Sequence, residues 1–251
     1  MKPKERRAEI ASLIGRQGRI SVDELALMFG VSAETVRRDL GRLAETGAVQ
    51  KIHGGAKRAR LHAEGSFTER MTESAEAKRE IAKKLVQVLE PGDTIFIDTG
   101  STTLICAEEI AAVGRLTVIT NSIGIARILG APELRNAVYL IGGSFSADAG
   151  ETIGPMAVEQ IGEFQADHAI LSVAAIDGGV GIMDANFDEA RVARAMIERS
   201  RHVIVVANAA KFDRMAAFRV CPLDEVDILV SDEAPGPELA AALRTAGVEL
   251  R

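Results

Sequence analysis

The stretch Val31-Ser-Ala-Glu-Thr-Val-Arg-Arg-Asp-Leu40 predicts a turn followed by a short helix, with valine and leucine on its inner side and arginines on its outer side. A second short helix is predicted directly before it, from Ser21 to Gly30, where glycine favours a helix end. Two short helices joined in this way are the layout of a helix-turn-helix, whose second helix enters the DNA major groove. The stretch therefore predicts a DNA-binding fold.

The residues around this helix pair complete a small domain. Apolar residues at helical spacing predict a first helix over residues 4–17. Residues 48–52 read as a strand, and His53-Gly-Gly55 reads as the tip of a hairpin. A hairpin at this place predicts a wing that lies along DNA phosphates. We place an α+β winged helix-turn-helix domain at residues 1–57.

Several residues of this domain are candidate DNA contacts. Arginine bonds the guanine edge in a bidentate manner, and Ser, Thr and Lys suit phosphate or methyl contacts. The candidates are Ser32, Thr35, Arg37, Arg38, Arg42, Lys51 and His53. An arginine pair alone is more typical of a solvated helix face, but the helix pair, the wing and the charge distribution together favour DNA binding. Asp39 is expected to pair with Arg38 or Arg42 on its own helix.

Charge is divided unevenly along the chain. The net charge is −6 at pH 7, yet residues 1–60 carry 13 Lys and Arg against 7 Asp and Glu, a net +6. Residues 61–251 carry 17 against 29, a net −12. A basic domain joined to an acidic one indicates a DNA-binding module with a second function attached, since phosphate neutralisation needs only local positive charge. The acidic part argues against a non-specific architectural DNA protein.

The rest of the chain is predicted to be a polar linker, residues 58–75, followed by an α/β domain, residues 76–251. Short apolar strands alternate with helices there, which implies a mostly parallel sheet covered on both faces. The predicted strands are 94–98, 116–120, 138–141, 169–173, 203–207 and 228–230, and the predicted helices include 74–89, 187–200 and 237–245.

Glycines and small polar residues follow successive predicted strands. Ligands bind beyond the carboxyl ends of the strands in such sheets, so these residues indicate one shared cleft. The Gly-Ser-Thr-Thr turn after the first strand opens a helix, where backbone N–H groups and hydroxyls suit a phosphate, and Lys211 would add a cation. The candidates are Asp98, Gly100, Ser101, Thr102, Thr103, Asn121, Gly143 and Lys211. Taken singly, each is also typical of an ordinary cap, turn or surface residue; their convergence favours a phosphorylated ligand.

Longer motifs resemble a known family. Ser32-Ala-Glu-Thr-Val-Arg-Arg-Asp-Leu-Gly-Arg-Leu43, followed by Gly47 and His53-Gly-Gly-Ala56, is similar to the winged helix of the DeoR family of bacterial transcriptional repressors. The Asp98–Thr103 turn, with the later Thr-Asn-Ser and Gly-Gly elements, resembles the family's sensor domain. The resemblance implies a fold like that of ribose-5-phosphate isomerase, and a phosphorylated sugar or polyol as effector.

One stretch departs from the family pattern, and another resembles one particular group within the family. Asn208 and Ala210 stand where the family usually has Asp and Ser, whereas the lysine that follows is kept. The stretch Gly181–Met196 most resembles the glycerol-3-phosphate regulon repressors, and this implies that Asp184 and Glu189 accept hydroxyl groups of a polyol. Glu189 is alternatively an ion-pair partner of an arginine on its own helix.

These patterns predict a cytoplasmic DNA-binding repressor of carbon metabolism that is released from its operator by a phosphorylated metabolite. Glycerol 3-phosphate is the first candidate and another sugar phosphate the second. We expect a homodimer or homotetramer, because one winged helix binds with little specificity. We expect no catalytic residue, cofactor, metal or membrane partner, and two buried reduced cysteines. The competing prediction is a sugar-phosphate isomerase-type enzyme with Asp98 or Asp177 as base, for which a basic N-terminal domain has no use.

Overall fold

The computed structural model describes residues 2–45, 49–52, 54–58 and 64–251. The chain divides into two compact units, Met1–Ala63 and Glu64–Arg251, which we call the head and the body. The head has one apolar core, and the body has two large ones.

The head is a helix-turn-helix with a small sheet. Its described elements are α1 (Pro3–Gln17), β1 (Arg19–Ser21), α2 (Val22–Phe29), α3 (Ala33–Glu45), β2 (Val49–Ile52) and β3 (Gly55–Arg58). The helices form one core in which Leu25 of α2 and Leu40 of α3 are buried. Ser21 caps α2 by accepting the backbone N–H of Glu24, and Gly30 ends it in the left-handed conformation with φ of 61°. The predicted helix pair is confirmed.

The wing is an antiparallel sheet of order β1-β3-β2. β2 and β3 confirm the predicted hairpin, whereas the three-residue β1 is too short for the sequence pattern to reveal. A Cβ atom on Gly55 would lie 2.3 Å from the carbonyl oxygen of Ile20, so glycine permits β3 to approach β1. Gly47, which is part of the family motif, and the hairpin residue His53 lie outside the described residues.

The body begins at Glu64, within the segment 58–75 that was predicted to be a linker. The chain divides after Ala63, and a helix, α4 (Phe67–Thr72), belongs to the body. The backbone N–H of Phe67 donates to the Asp148 carboxylate at 3.0 Å, which fixes the start of α4. With six residues, this helix is too short for apolar spacing to predict it.

The remaining elements of the body alternate between strands and helices. They are α5 (Ala75–Leu85), β4 (Thr94–Ile97), α6 (Ser101–Ile110), β5 (Thr117–Thr120), α7 (Ile123–Leu129), β6 (Ala137–Leu140), β7 (Ser144–Ser146), β8 (Glu151–Ile153), α8 (Pro155–Ile161), β9 (Ala166–Ser172), β10 (Ala175–Asp177), β11 (Gly181–Asp184), α9 (Phe187–Glu198), β12 (Ser200–Val206), β13 (Phe218–Cys221), β14 (Ile228–Val230), α10 (Pro237–Ala246) and β15 (Glu249–Leu250). The helices among the described residues are too short or too polar to form a membrane-spanning segment.

Seven parallel strands form the main sheet in the order β15-β14-β12-β9-β4-β5-β6. Successive side chains of β4 point to opposite faces: Phe96 lies in one apolar core, and Ile95 and Ile97 lie in the other. Both faces of the sheet are therefore covered. This confirms the predicted α/β domain with a mostly parallel sheet.

Some strands differ from the prediction. β9 and β12 begin at Ala166 and Ser200, three residues before the predicted starts, because polar His168 and His202 pair in register near their beginnings. The β7–β8 hairpin and the β10-β11-β13 sheet are antiparallel and were not predicted. Their strands have three or four residues, which is too few to show a clear alternation.

Both cysteines are buried and free. Cys106 of α6 and Cys221 of β13 lie in different apolar cores. Burial raises the pKa of each thiol to about 12, so both are protonated at neutral pH.

A buried carboxylate joins two helices of the head. Asp39 of α3 is 4% exposed and accepts a hydrogen bond from Nε of Arg6 on α1 at 2.7 Å. Nη1 of Arg7 lies 3.6 Å from the same carboxylate. These partners on α1 differ from the expected partners Arg38 and Arg42, because the Asp39 side chain faces the interior of the head rather than its surface.

Replacement of Asp39 by asparagine is expected to lower the free energy of unfolding of the head by about 1–3 kcal/mol, because two arginines lose a buried carboxylate. Urea-dependent hydrogen exchange resolves the head from the body and measures this loss. The control, Glu34→Gln on the same helix, removes an exposed pair with Arg37 at 3.5 Å and is expected to cost less than about 0.5 kcal/mol. Equal losses in the two variants would contradict the structural role of Asp39.

Candidate functional site

The outer face of α3 carries most of the predicted DNA contacts. Arg37, Arg38 and Arg42 are exposed on this helix, and Lys51 is exposed on β2. The opposite face of α3 is apolar and packs in the core of the head. The positive side chains therefore extend from the helix that a helix-turn-helix inserts into the major groove.

The two hydroxyl candidates form the start of α3. Oγ of Ser32 accepts the backbone N–H of Thr35 at 3.2 Å, and the two hydroxyl oxygens lie 2.9 Å apart. Ser32 thus caps α3 and is exposed to solvent. His53, the remaining candidate, lies outside the described residues.

The body contains a polar cavity at the carboxyl ends of its parallel strands. The N-terminus of α6 borders it, as do the residues that end β9 and follow β12. The predicted ligand-binding residues that line it are Ser101, Thr102, Asp184, Glu189 and Lys211. The lining residues that were not predicted are Glu64, Arg70, Glu73, Lys78, Ser172, Val173 and Asn208. The cavity measures about 30 Å³, room for about two water molecules.

Asp98 and Gly100 lie behind the lining and position the start of α6. The Asp98 carboxylate accepts the backbone N–H of Ser172, with oxygen distances of 3.0 and 3.1 Å. Burial raises the pKa of Asp98 well above its ordinary value, although these hydrogen bonds oppose the rise. A Cβ atom on Gly100 would lie 1.9 Å from Oγ of Ser172, so a glycine is required where the helix begins against β9.

Three other predicted residues are not among those that line the cavity. Thr103 is fully buried, and its hydroxyl donates to a backbone carbonyl at the start of its own helix at 3.1 Å. Asn121 donates to the Glu151 carboxylate at 3.2 Å, which ties the β7–β8 hairpin to the end of β5. Gly143 has φ of 153°, and a Cβ atom there would lie 2.6 Å from the carbonyl oxygen of Ile153, so it permits the hairpin to close.

Three cations from different elements reach the cavity. Arg70 of α4 and Lys211, which follows β12, both contact the Glu64 carboxylate. Lys78 of α5 is 3% exposed and donates to the backbone carbonyl of Arg70. Burial, with the nearby charge of Lys211, lowers the pKa of Lys78 to about 8. This cluster has the charge and the donors that a phosphate requires.

A second group of lining residues is acidic. Burial raises the pKa of Asp184 to about 6. It raises the pKa of Glu189 to about 9, to which the neighbouring carboxylates of Asp184 and Glu151 contribute. The pKa of Glu151 itself is raised to about 7 by burial and by Asp184. Protonated carboxyls donate hydrogen bonds and ionised ones accept them, so this group suits hydroxyls better than an anion.

The residue that departs from the family pattern lies in the cavity. Asn208 is 6% exposed, and its Oδ1 has no hydrogen-bond partner among the described residues. A buried acceptor without a partner is costly, so this atom is suited to accept a hydrogen bond from a ligand. Ala210 is exposed and is not among the lining residues.

The contacts of two residues bear on alternative roles that the sequence left open: Asp177 as a catalytic base, and an arginine of α9 as the partner of Glu189. Oδ1 of Asp177 accepts the backbone N–H groups of Gly179 and Val180 at 2.9 Å each, so this carboxylate caps the turn between β10 and β11. The expected alternative partners of Glu189 on α9 are Arg191 and Arg194. Nε of Arg194 donates to the backbone carbonyl of Arg219 on β13 at 3.0 Å.

Comparison with known proteins finds matches over the whole chain. The DeoR-like helix-turn-helix domain matches residues 6–60, and the DeoR C terminal sensor domain matches residues 73–233. The HTH-type transcriptional repressor CsqR of Escherichia coli (strain K12) is 33% identical over 245 residues, which cover 98% of this chain and 94% of that protein. The glycerol-3-phosphate regulon repressor of the same organism is 32% identical over 250 residues, which cover 100% and 99%.

One solved structure with a distant likeness to part of this chain is an enzyme. Ribose 5-phosphate isomerase A from Methanocaldococcus jannaschii is similar with a TM-score of 0.41 and 14% identity, over 56% of this chain and 55% of that one. A likeness this distant says nothing about activity.

The raised pKa of Glu189 predicts a pH-dependent stability. Its carboxyl is protonated in the folded protein up to about pH 9 and ionises from about pH 4.5 in the unfolded chain, so its contribution to stability is lost as the pH rises between these values. The Glu189→Gln variant has no ionisable group at this position, so it does not lose stability in this way as the pH rises. Its melting temperature is expected to exceed that of the wild type by a few degrees at pH 8.5 and by much less at pH 5.

Thermal unfolding at several pH values measures this difference. Glu198→Gln, which removes an exposed carboxylate from the same helix, is the control and is expected to show a difference that does not change with pH. A constant difference for Glu189→Gln as well would mean that Glu189 is ionised in the folded protein.

Proposed function

This chain belongs to the DeoR family of transcriptional repressors, and we propose that it binds operator DNA through α3 and is released by a small phosphorylated polyol or sugar. Glycerol 3-phosphate is the first candidate for this effector. The observation that carries the proposal is the convergence, in one cavity, of the α6 N-terminus, three cations and several protonatable carboxyls. Such a lining suits a ligand with a phosphate at one end and hydroxyl groups at the other.

The proposed DNA contacts are the exposed cations of the head. Both relatives described above are repressors, and the head has the fold and the charge of a DNA-binding module. Arginine at the start of a recognition helix contacts base edges, and lysine on a wing contacts phosphates. We expect a cytoplasmic homodimer or homotetramer, because a second head adds the specificity that a single winged helix lacks.

The phosphate is proposed to lie at the start of α6. Ser101 and Thr102 offer hydroxyls there, and the first backbone N–H groups of a helix attract anions. Lys211 adds a positive charge in the same lining. The hydroxyl groups of the effector would then contact Asp184, Glu189 and the unpartnered Oδ1 of Asn208.

Glycerol 3-phosphate is preferred because one relative that matches the full chain is named for its regulon. A second relative of nearly equal identity is named otherwise, so another sugar phosphate is the alternative. Release from DNA requires that the effector bind the DNA-free arrangement more tightly than the DNA-bound one, since equal affinity would shift nothing.

Catalysis is not part of the proposal. Asp98 and Asp177 were the candidate bases of an isomerase-type enzyme, but both carboxylates accept backbone N–H groups. Neither residue lines the cavity.

Replacement of Arg38 by alanine is expected to weaken DNA binding by about 10-fold or more, because an arginine contact to a base edge or phosphate is lost. Fluorescence anisotropy with fragments selected from a random-sequence library measures the affinity at several salt concentrations. Arg201→Ala, which removes the same charge from an exposed position of the body, is the control and should change the affinity by less than about 2-fold. Equal effects would show that α3 has no special role.

Thermal unfolding tests the effector. Glycerol 3-phosphate at 100 times its dissociation constant should stabilise the protein by about 2.7 kcal/mol, a shift of a few degrees, whereas glycerol should not. Thr102→Val is expected to reduce this shift because it removes a lining hydroxyl. Thr103→Val, on the same helix but outside the lining, is the matched control. A wild-type protein that no phosphorylated compound stabilises would exclude the proposed effector class.

A further inference from the structure

We propose that Arg70, Lys78 and Lys211 form the phosphate subsite of the body together with the start of α6, and that the Glu64 carboxylate occupies this subsite until the phosphate of the effector displaces it. This inference rests on the proposed function and names how its site is regulated. It also assigns a binding role to two residues of α4 and α5, which the sequence pattern did not identify.

Glu64 is bound as a ligand anion would be. One carboxylate oxygen contacts the guanidinium group of Arg70, and the other contacts the ammonium group of Lys211. The Glu64 side chain is only 12% exposed, and those of Arg70 and Lys211 are 14% and 20% exposed. Bridging of an arginine and a lysine through two oxygens is also the geometry by which a phosphate is held.

The space in the cavity supports an exchange. The cavity of about 30 Å³ holds about two water molecules. Glu64 lines the cavity and already holds two of its cations, so its withdrawal would enlarge the cavity and free both charges.

The charges favour the phosphate over the carboxylate. Glu64 offers one negative charge to a cluster of three cations, whereas a phosphate monoester carries about −1.5 to −2 near neutral pH. Burial and the neighbouring Lys211 lower the pKa of Lys78, so an anion bound beside this ammonium group would stabilise its charged form. A dianion would satisfy Arg70, Lys78 and Lys211 together.

Glu64 lies at the start of the body, and this position gives its displacement by phosphate a structural consequence. The head ends at Ala63, so the displaced residue is the first residue of the body and is covalently next to the head. Arg70, which holds it, belongs to α4, and the backbone carbonyl of Arg70 accepts from Lys78. Displacement of Glu64 therefore changes the contacts at the point where the DNA-binding unit is attached.

The test compares three proteins by isothermal titration with glycerol 3-phosphate and with inorganic phosphate. Glu64→Gln removes the competing charge and is expected to bind both probes at least about 10-fold more tightly than the wild type, because the subsite is no longer occupied. Glu76→Gln is the control: it removes an exposed carboxylate of α5 that does not line the cavity, and it should change the affinity by less than about 2-fold.

Hydrogen exchange of the peptide 64–72 supplies the second readout. In the wild type, exchange in this peptide should rise when glycerol 3-phosphate is added, because Glu64 leaves Arg70. In Glu64→Gln it should be high without ligand and change little on binding. If Glu64→Gln does not fold, Glu64→Asp withdraws the carboxylate by one methylene group and should tighten phosphate binding by a smaller factor.

The outcomes separate this inference from the proposed function. If neither the wild type nor the Glu64 variant binds a phosphorylated probe, the proposed effector class is wrong. If the wild type binds but the Glu64 variant binds no more tightly than Glu76→Gln, the effector site stands and the displacement of Glu64 is excluded. Unchanged exchange in residues 64–72 on binding would exclude it as well.

Discussion

The cavity of the body depends on the buried contact between Asp98 and Ser172. β4 ends at Ile97 and its neighbour β9 ends at Ser172, so this contact lies at the carboxyl edge of the parallel sheet. The Asp98 carboxylate accepts the backbone N–H of Ser172 and keeps the two strand ends together. Because Gly100 has no side chain, α6 begins directly against β9 and brings two hydroxyls to the cavity.

The charges around this edge depend on contacts and burial within the body itself. Arg70 and Lys211 share the Glu64 carboxylate, and burial raises the pKa values of Asp184 and Glu189. The same burial that weakens ionisation of Glu189 also lowers the pKa of Lys78. Glu189 is therefore protonated at neutral pH and adds no negative charge that would oppose an incoming anion.

The sequence predicted those elements whose formation depends on residues close together in the chain. The helix pair of the head, the parallel strands and the start of α6 follow from capping residues, apolar spacing and continuous apolar runs. Arg70 and Lys78 were missed because each stands in a polar stretch, and only packing of α4 and α5 directs them inward. Asn121 and Gly143 do follow strands as predicted, but the β7–β8 hairpin takes their contacts. Such an antiparallel insertion leaves no periodic signal.

The two cysteines lie on opposite faces of the main sheet, and this arrangement has an experimental consequence. Cys106 lies in the core on one face of the sheet and Cys221 in the core on the other, and the rest of the sequence has no thiol. Each is shielded from reagents until its own face loosens. The rates at which a thiol-specific label enters these two positions under native conditions would thus report separately on transient opening of the two faces, and would be blind to motions confined to the head.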